Sequence, residues 1–248
     1  MNKIYILWLR QIKRYLRSRS RIVGALTQPL LYLLALGYGF GAVFRQAGQG
    51  NYLNFLAPGV IGMSIIFTSI FSGMEVIWDR QFGFLKETLV APMPRFNIML
   101  GRTLGGATVA TFQGCLVMLI ATAFGFRPEH WWSMVAVIPC MLLLALMFTS
   151  LGTAIASALS DMQGFQLIIN FLVMPMVFLS GAFYPLKGLP MALSIVAGIN
   201  PLSYGIDAFR GLLIGAGHYG VAIDLAVLTG LSLVFIFIGS RFFSRIQA

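Results

Sequence analysis

Charge is scarce in this sequence. Of its 248 residues only 10% are Asp, Glu, Lys or Arg, and only seven are acidic, whereas a water-soluble domain carries about 25% charged residues. With 58% hydrophobic residues, the apolar surface is too large for one water-soluble core, which leaves a polytopic membrane protein. Cysteine is nearly missing. Cys115 and Cys140 both lie in apolar runs, which excludes a disulfide framework and predicts buried free thiols. No Gly-x-x-x-x-Gly-Lys-Ser/Thr occurs, so the chain holds no ATP in a P-loop. The two histidines, His130 and His218, stand apart and make no metal site, and no Ser–His–Asp or paired-acid arrangement is visible. No catalytic, cofactor-binding or metal-ligating residue is therefore expected. Ionisable groups are also missing from mid-span positions, where an ion-coupled carrier or an intramembrane enzyme would need them. No internal repeat supports a carrier built from inverted halves.

What is present is arranged for a membrane. Seven of the 17 basic residues fall in 1–21: Lys3, Arg10, Lys13, Arg14, Arg17, Arg19 and Arg21. Ile4, Trp8, Ile12, Tyr15 and Leu16 form a helical stripe between them, which predicts an amphipathic interfacial helix rather than a cleavable signal peptide. Six apolar spans are predicted near 22–44, 54–77, 102–124, 134–157, 164–183 and 221–240, since about 20 residues cover about 30 Å of hydrocarbon. With the N-terminus inside, thirteen Lys and Arg lie on the cytoplasmic side and four outside (Arg45, Arg127, Lys187, Arg210), which predicts both termini in the cytoplasm. The net charge of +10 flanks apolar spans and forms no soluble basic face, so it answers to anionic lipid and not to nucleic acid.

Two stretches depart from plain spans. Between the second and third spans lies a charged insert, 79–94. Phe82, Leu85 and Leu89 share one helical ridge flanked by Arg80, Lys86 and Glu87, the pattern of an amphipathic helix entering a partner's groove. Gly83 permits close approach, and Pro92 and Pro94 stop the helix. Glu75, at the inner end of the second span, is expected to pair with Arg80 or Arg102 and to transmit movement of the insert. The second stretch, 184–216, is too long for a turn and too interrupted for a span. Tyr184-Pro185, Pro190 and Asn200-Pro201 cut it into two short helices, read as a re-entrant hairpin dipping in from the outer face. Phe40, Phe67, Phe71, Phe171, Met174 and Phe178 are candidates for an apolar, adaptable pathway lining.

Three motifs carry a family resemblance: Asp79-Arg80-Gln81-Phe82-Gly83-Phe84-Leu85-Lys86-Glu87 with Leu89-Val90-Ala91-Pro92 and Leu100-Gly101-Arg102; Leu179-Ser180-Gly181-Ala182-Phe183-Tyr184-Pro185 with Leu189-Pro190; and Asn200-Pro201-Leu202-Ser203-Tyr204 with Asp207 and Arg210. Together they resemble the membrane-spanning permease subunit of ABC-2 type transporters, in the drug-resistance and nodulation-factor exporter branch. The resemblance covers essentially the whole chain. It implies an all-α membrane protein forming one domain over 1–248: six spans, an N-terminal amphipathic helix, a cytoplasmic coupling helix at 79–94 and an outer re-entrant hairpin at 184–216. It further implies a homodimer of permeases docked on two separate P-loop ATPase subunits that carry the ATP and Mg. The ATPase contact would fall to Asp79, Arg80, Phe82, Gly83, Leu85, Glu87, Leu89 and Pro92, and its joint to the spans to Glu75 and Arg102. The outer gate would fall to Gly181, Pro185, Pro190, Asn200, Pro201, Tyr204, Asp207 and Arg210. The expected work is export of a hydrophobic or amphipathic, drug-like or lipid-like substrate across the cytoplasmic membrane. The alternatives left open are a lipid-linked polysaccharide exporter of the same fold and, more remotely, an ion-coupled carrier or an intramembrane enzyme.

Overall fold

The computed structural model describes residues 3–46, 51–83, 94–186 and 188–244, and among them it contains eleven helices and no strand. In chain order these are α1 (Lys3–Arg17), α2 (Arg19–Gly39), α3 (Gly41–Gln46), α4 (Tyr52–Gln81), α5 (Arg95–Ala123), α6 (Ser133–Ala136), α7 (Ile138–Ala158), α8 (Met162–Phe178), α9 (Met191–Ile199), α10 (Pro201–Ile214) and α11 (Val221–Ser244). Five stretches are long and apolar enough to cross a membrane: α2, α4, α5, the run Ser133–Ala158 and α11. The fifth predicted span, α8, has 17 residues, about 25 Å at helical rise.

The boundaries shift for local reasons. The span predicted over 22–44 breaks at Phe40, where α2 gives way to α3. Ser18 separates α1 from α2, so the predicted 1–21 helix ends at Arg17. The fourth span is two helices divided at Val137, and α8 stops at Phe178 instead of 183. α4 runs on through Gln81, so Asp79 and Arg80 belong to the end of a span and not to a separate helix beginning at 79. Side-chain caps mark three helix starts: Asn51 accepts from the Leu53 N–H, Asp161 from Gly164 and Asn200 from Leu202.

α4 is the hub. In its apolar window 72% of residues are buried, against 17% in α2 and in α11, which lie at the periphery. α5, α7 and α10 surround it. Glycines let helices approach to backbone contact: a Cβ on Gly73 would overlap the Gly152 carbonyl of α7, and one on Gly152 would stand 2.6 Å from the Ile70 carbonyl oxygen. Small residues at helix crossings are the usual route to close packing where water supplies no driving force between spans. Both cysteines are free thiols; Cys140 is buried as expected, whereas Cys115 is half-buried.

Candidate functional site

The C-terminal end of α4 and the N-terminal part of α5 form a buried ionic joint. Asp79 is paired with Arg102 at 4% and 5% exposure, respectively. Glu75, one turn earlier on α4, accepts from Arg21 Nη1 at 2.8 Å and lies 3.6 Å from Arg14 Nη1; the same Arg14 nitrogen is 3.8 Å from Asp79. The expected pairing of Glu75 with Arg80 or Arg102 is thus corrected. Arg102 is taken by Asp79, and Arg80 turns to the opposite side of α4, donating to the carbonyls of Leu159 at 3.0 Å and Ser157 at 3.3 Å. Gln81 adds a bond to the Ser160 carbonyl. The end of α4 is therefore held both to α1 and α2 and to the turn between α7 and α8.

α1 reaches this joint by docking along α5. Leu7 sits against Gly101 and Gln11 against Gly105, each so close that a Cβ on the glycine would meet the side chain at 2.8 and 2.6 Å. Trp8 Nε1 donates to Thr108 Oγ1 at 3.0 Å, and Tyr15 donates to the buried Gln113. Residue numbers rise together on both helices, so they run parallel. Of the predicted lipid-facing stripe, Tyr15 is buried against protein while Leu16 stays exposed. Arg14, Tyr15, Arg21 and Gln113 were missed by sequence reasoning. The available signal was that two acids at the end of an apolar span need cations, and the basic cluster at 10–21 supplies them.

Past the joint, Phe82 is exposed and Gly83 closes α4 in a left-handed conformation, φ 80°, that a side chain would strain. Leu85, Glu87, Leu89 and Pro92 lie outside the described residues.

Asn200 sits between α9 and α10. Its Oδ1 caps α10 and its Nδ2 donates to the Met176 carbonyl at 2.6 Å, while Pro201 occupies the first helical position, where its missing N–H costs nothing. Buried Arg210 donates to the carbonyls of Gly181 at 2.8 Å, Ala182 at 3.2 Å and Phe55 at 3.4 Å, with the Phe55 ring 3.9 Å from its guanidinium carbon. Asp207 accepts from the backbone N–H of His218 at 2.7 Å and of Tyr219 at 2.7 Å. Tyr204 donates to the Gly198 carbonyl and stacks on Tyr219 at 4.9 Å. Burial, then Tyr204, Asp207 and Asp224, push the Tyr219 hydroxyl above its usual range. Gly181 has φ 75° in the turn that brings its carbonyl to Arg210. Pro185 and Pro190 flank the loop before α9. Each charge-assisted bond is worth about 1.5–3 kcal/mol, so Arg210→Met, which leaves the Gly181 and Ala182 carbonyls without their donor, should destabilise the chain by about 3 kcal/mol. A thermal melt in detergent measures this, and an unchanged midpoint would show that the carbonyls have other partners.

The aromatic candidates divide into three groups. Phe40 and Phe178 join Phe44, Tyr32, Tyr52 and Phe183 around a cup of about 530 Å³ at the C-terminal end of α2. Phe67 and Phe71 stack at 6.4 Å and line a different hollow, between α2 and α4. Phe171, 86% exposed, and Met174 lie on the outward face of α8 and line neither. Among the described residues no cluster of His, Cys, Asp and Glu suits a metal ion.

The chain is similar to known proteins over most of its length. A family profile described as ABC-2 type transporter matches residues 2–214. Nodulation protein J of Rhizobium leguminosarum bv. viciae is 28% identical over 211 residues, 84% of this chain and 81% of its own length. Nodulation protein J of Rhizobium meliloti (strain 1021) is 27% identical over 228 residues, 91% of this chain and 86% of its own. Inner membrane transport permease YadH of Escherichia coli (strain K12) is 27% identical over 224 residues, 90% of this chain and 87% of its own.

Proposed function

Because this integral membrane chain belongs to the ABC-2 type transporter family, we propose that it is the permease subunit of an exporter driven by ATP hydrolysis on a separate ATPase chain. Two copies would pair and dock on two ATPase subunits, with both termini in the cytoplasm. The cargo is a hydrophobic or amphipathic molecule, drug-like or lipid-like. The observation that carries this reading is the ionic joint. Asp79–Arg102, Glu75–Arg21 and Glu75–Arg14 sit at the root of the 79–94 insert and tie the end of α4 to α5, α2 and α1. A push on the insert is therefore delivered to several helices at once, as a rigid-body switch requires. The relatives' names, a transport permease and nodulation proteins, fit a transport role. Export of a lipid-linked polysaccharide is the second reading, favoured by the aromatic cup, whose rings offer stacking faces.

Leu85→Asp tests the coupling. Co-expressed with a candidate ABC ATPase and reconstituted in lipid, the wild-type chain should form a stable complex that hydrolyses ATP. The variant should insert and melt like the wild type yet lose at least tenfold in coupled hydrolysis and substrate efflux. Undiminished activity at position 85 would remove the insert as the ATPase contact.

A further inference from the structure

Between α2 and α4 the inner half of the chain holds two hollows that meet at Arg21 and Phe71. The wider, about 550 Å³, opens at the ionic joint and is lined by Arg14, Ser18, Ser20, Glu75 and Trp78. The narrower, about 200 Å³, continues along the helices past Gly24, Gln28, Ser64 and Thr68, with Phe67 and Phe71 as its apolar wall. From Arg21 to Gln28 the groove follows about two turns of α2, about 10 Å at helical rise.

Its chemistry changes along this length. At the mouth three guanidinium groups, Arg14, Arg21 and Arg102, face two carboxylates, Glu75 and Asp79, which leaves one positive charge over. Arg102 is buried with Asp79, so the surplus sits on the two cations that line the hollow, Arg14 and Arg21, whose side chains are 37% and 35% exposed. Deeper in, Ser64 is 4% exposed and its hydroxyl has no hydrogen-bond partner. Ser150, Ser157 and Ser232 in the other spans each bond the carbonyl four residues back, the ordinary solution for a serine in an apolar helix. Ser64 instead borders the hollow with its hydroxyl unspent. A Cβ on Gly24 would meet nothing within 4 Å, so the opposite wall leaves room.

We propose that this groove binds the transported molecule and that the molecule is an anionic amphiphile. A phosphate or carboxylate head lies against Arg14 and Arg21, the apolar tail runs along Phe71 and then Phe67, and a polar group further along the tail hydrogen-bonds Ser64. The inference rests on the reading of the chain as a permease and adds the charge of the cargo and its place of binding. A single net positive charge in a half-buried mouth selects one anionic group and repels a cationic head.

The purified chain, without an ATPase, is placed in phosphatidylcholine nanodiscs and titrated with dodecyl phosphate, dodecyltrimethylammonium or inorganic phosphate, with bound probe counted by native mass spectrometry. Dodecyl phosphate should bind at least tenfold more tightly than the other two. Arg14→Gln should weaken it about tenfold with little change in melting, because Glu75 keeps Arg21 and Asp79 keeps Arg102. Gly24→Phe, which fills the groove, should weaken it as much. Equal binding of the cationic probe, or wild-type affinity in both variants, would overturn the proposal. Binding should persist when a quarter of the lipid is phosphatidylglycerol; its loss would make the groove a site for bulk anionic lipid and overturn the assignment to cargo. Failure of ATP coupling shows only in the Leu85→Asp comparison, so the two readings fail separately.

Discussion

Asp79→Leu should destabilise the chain more than Arg102→Leu, although each removes one half of the same buried pair. Breaking a buried ion pair from one side costs about 3–5 kcal/mol, because the partner is left charged and unpaired. The two sides are unequal here. Arg102 has two further guanidinium nitrogens, Nε and Nη1, that are buried without hydrogen-bond partners, so Asp79 is its chief compensation. Asp79 has a second cation, Arg14, at 3.8 Å. Removing Asp79 therefore strands a buried guanidinium, while removing Arg102 leaves the carboxylate with Arg14 to draw closer. The expected costs are about 3–5 kcal/mol for Asp79→Leu and about half that for Arg102→Leu. The double variant should cost clearly less than the sum, because neither charge remains unpaired. Denaturant unfolding of the purified chain in mixed micelles gives all three values. The reverse order of the single variants, or strict additivity in the double, would mean that the pair is not what holds α4 to α5. Coupled ATP hydrolysis measured on the same variants should fall in the same order if the joint transmits the movement of the insert.

The parts of this chain that could be read from sequence are those set by local chemistry. Runs of apolar residues long enough to cover hydrocarbon gave α2, α4, α5, the 133–158 run and α11, because composition alone decides that a segment belongs in lipid. Asn200-Pro201 announced the start of α10 because a capping side chain followed by proline has few other uses. Pairing in space was not legible. For Glu75 the sequence suggests Arg80 or Arg102, yet its partners come from 54 and 61 residues away, at Arg21 and Arg14. Helix direction explains the miss: Arg80 leaves α4 toward the α7–α8 turn, a matter of azimuth that proximity in sequence does not reveal. The basic stripe of α1 read as lipid contact, since nothing in a row of Arg and Lys separates those that face phosphate from those that face a buried carboxylate. The glycine pair Gly101 and Gly105 was the visible hint that a helix could lie against α5, but spacing of small residues does not say which helix. Of the pathway candidates, Phe40 and Phe178 meet at one cup and Phe171 faces away from it, a difference that aromatic identity alone does not reveal.

Gly152→Val and Gly73→Val should be among the most damaging substitutions at the glycines of the spans, and for a reason independent of charge. At most close helix contacts a new methyl group meets the end of a side chain, which can turn aside; overpacking of that kind costs about 1–3 kcal/mol. At this crossing the obstacle is backbone: the Gly152 carbonyl for position 73, and the Ile70 carbonyl, 2.6 Å from a Cβ, for position 152. α4 and α7 would have to separate along their length, and each carries a large share of the buried core, including Ile66 and Ile70 on one side and Phe148 and Met147 on the other. The expected result is a cost above that overpacking range, seen as loss of folded, monodisperse protein after extraction. Gly230→Ala in α11 is the contrast. A Cβ there meets nothing within 4 Å, and replacing glycine by alanine within a helix should be neutral or stabilising by up to about 1 kcal/mol. Size-exclusion profiles and melting midpoints of the three variants decide the matter, and a well-folded Gly152→Val chain would show that the helices can separate without loss. The consequence reaches the ionic joint, because Glu75 lies two residues beyond Gly73 and Asp79 one further turn on. The crossing thereby sets the height at which both acids meet Arg21 and Arg102. Even Gly73→Ala, whose Cβ alone meets the Gly152 carbonyl, should therefore shift that height and weaken coupling while the pair itself stays chemically intact.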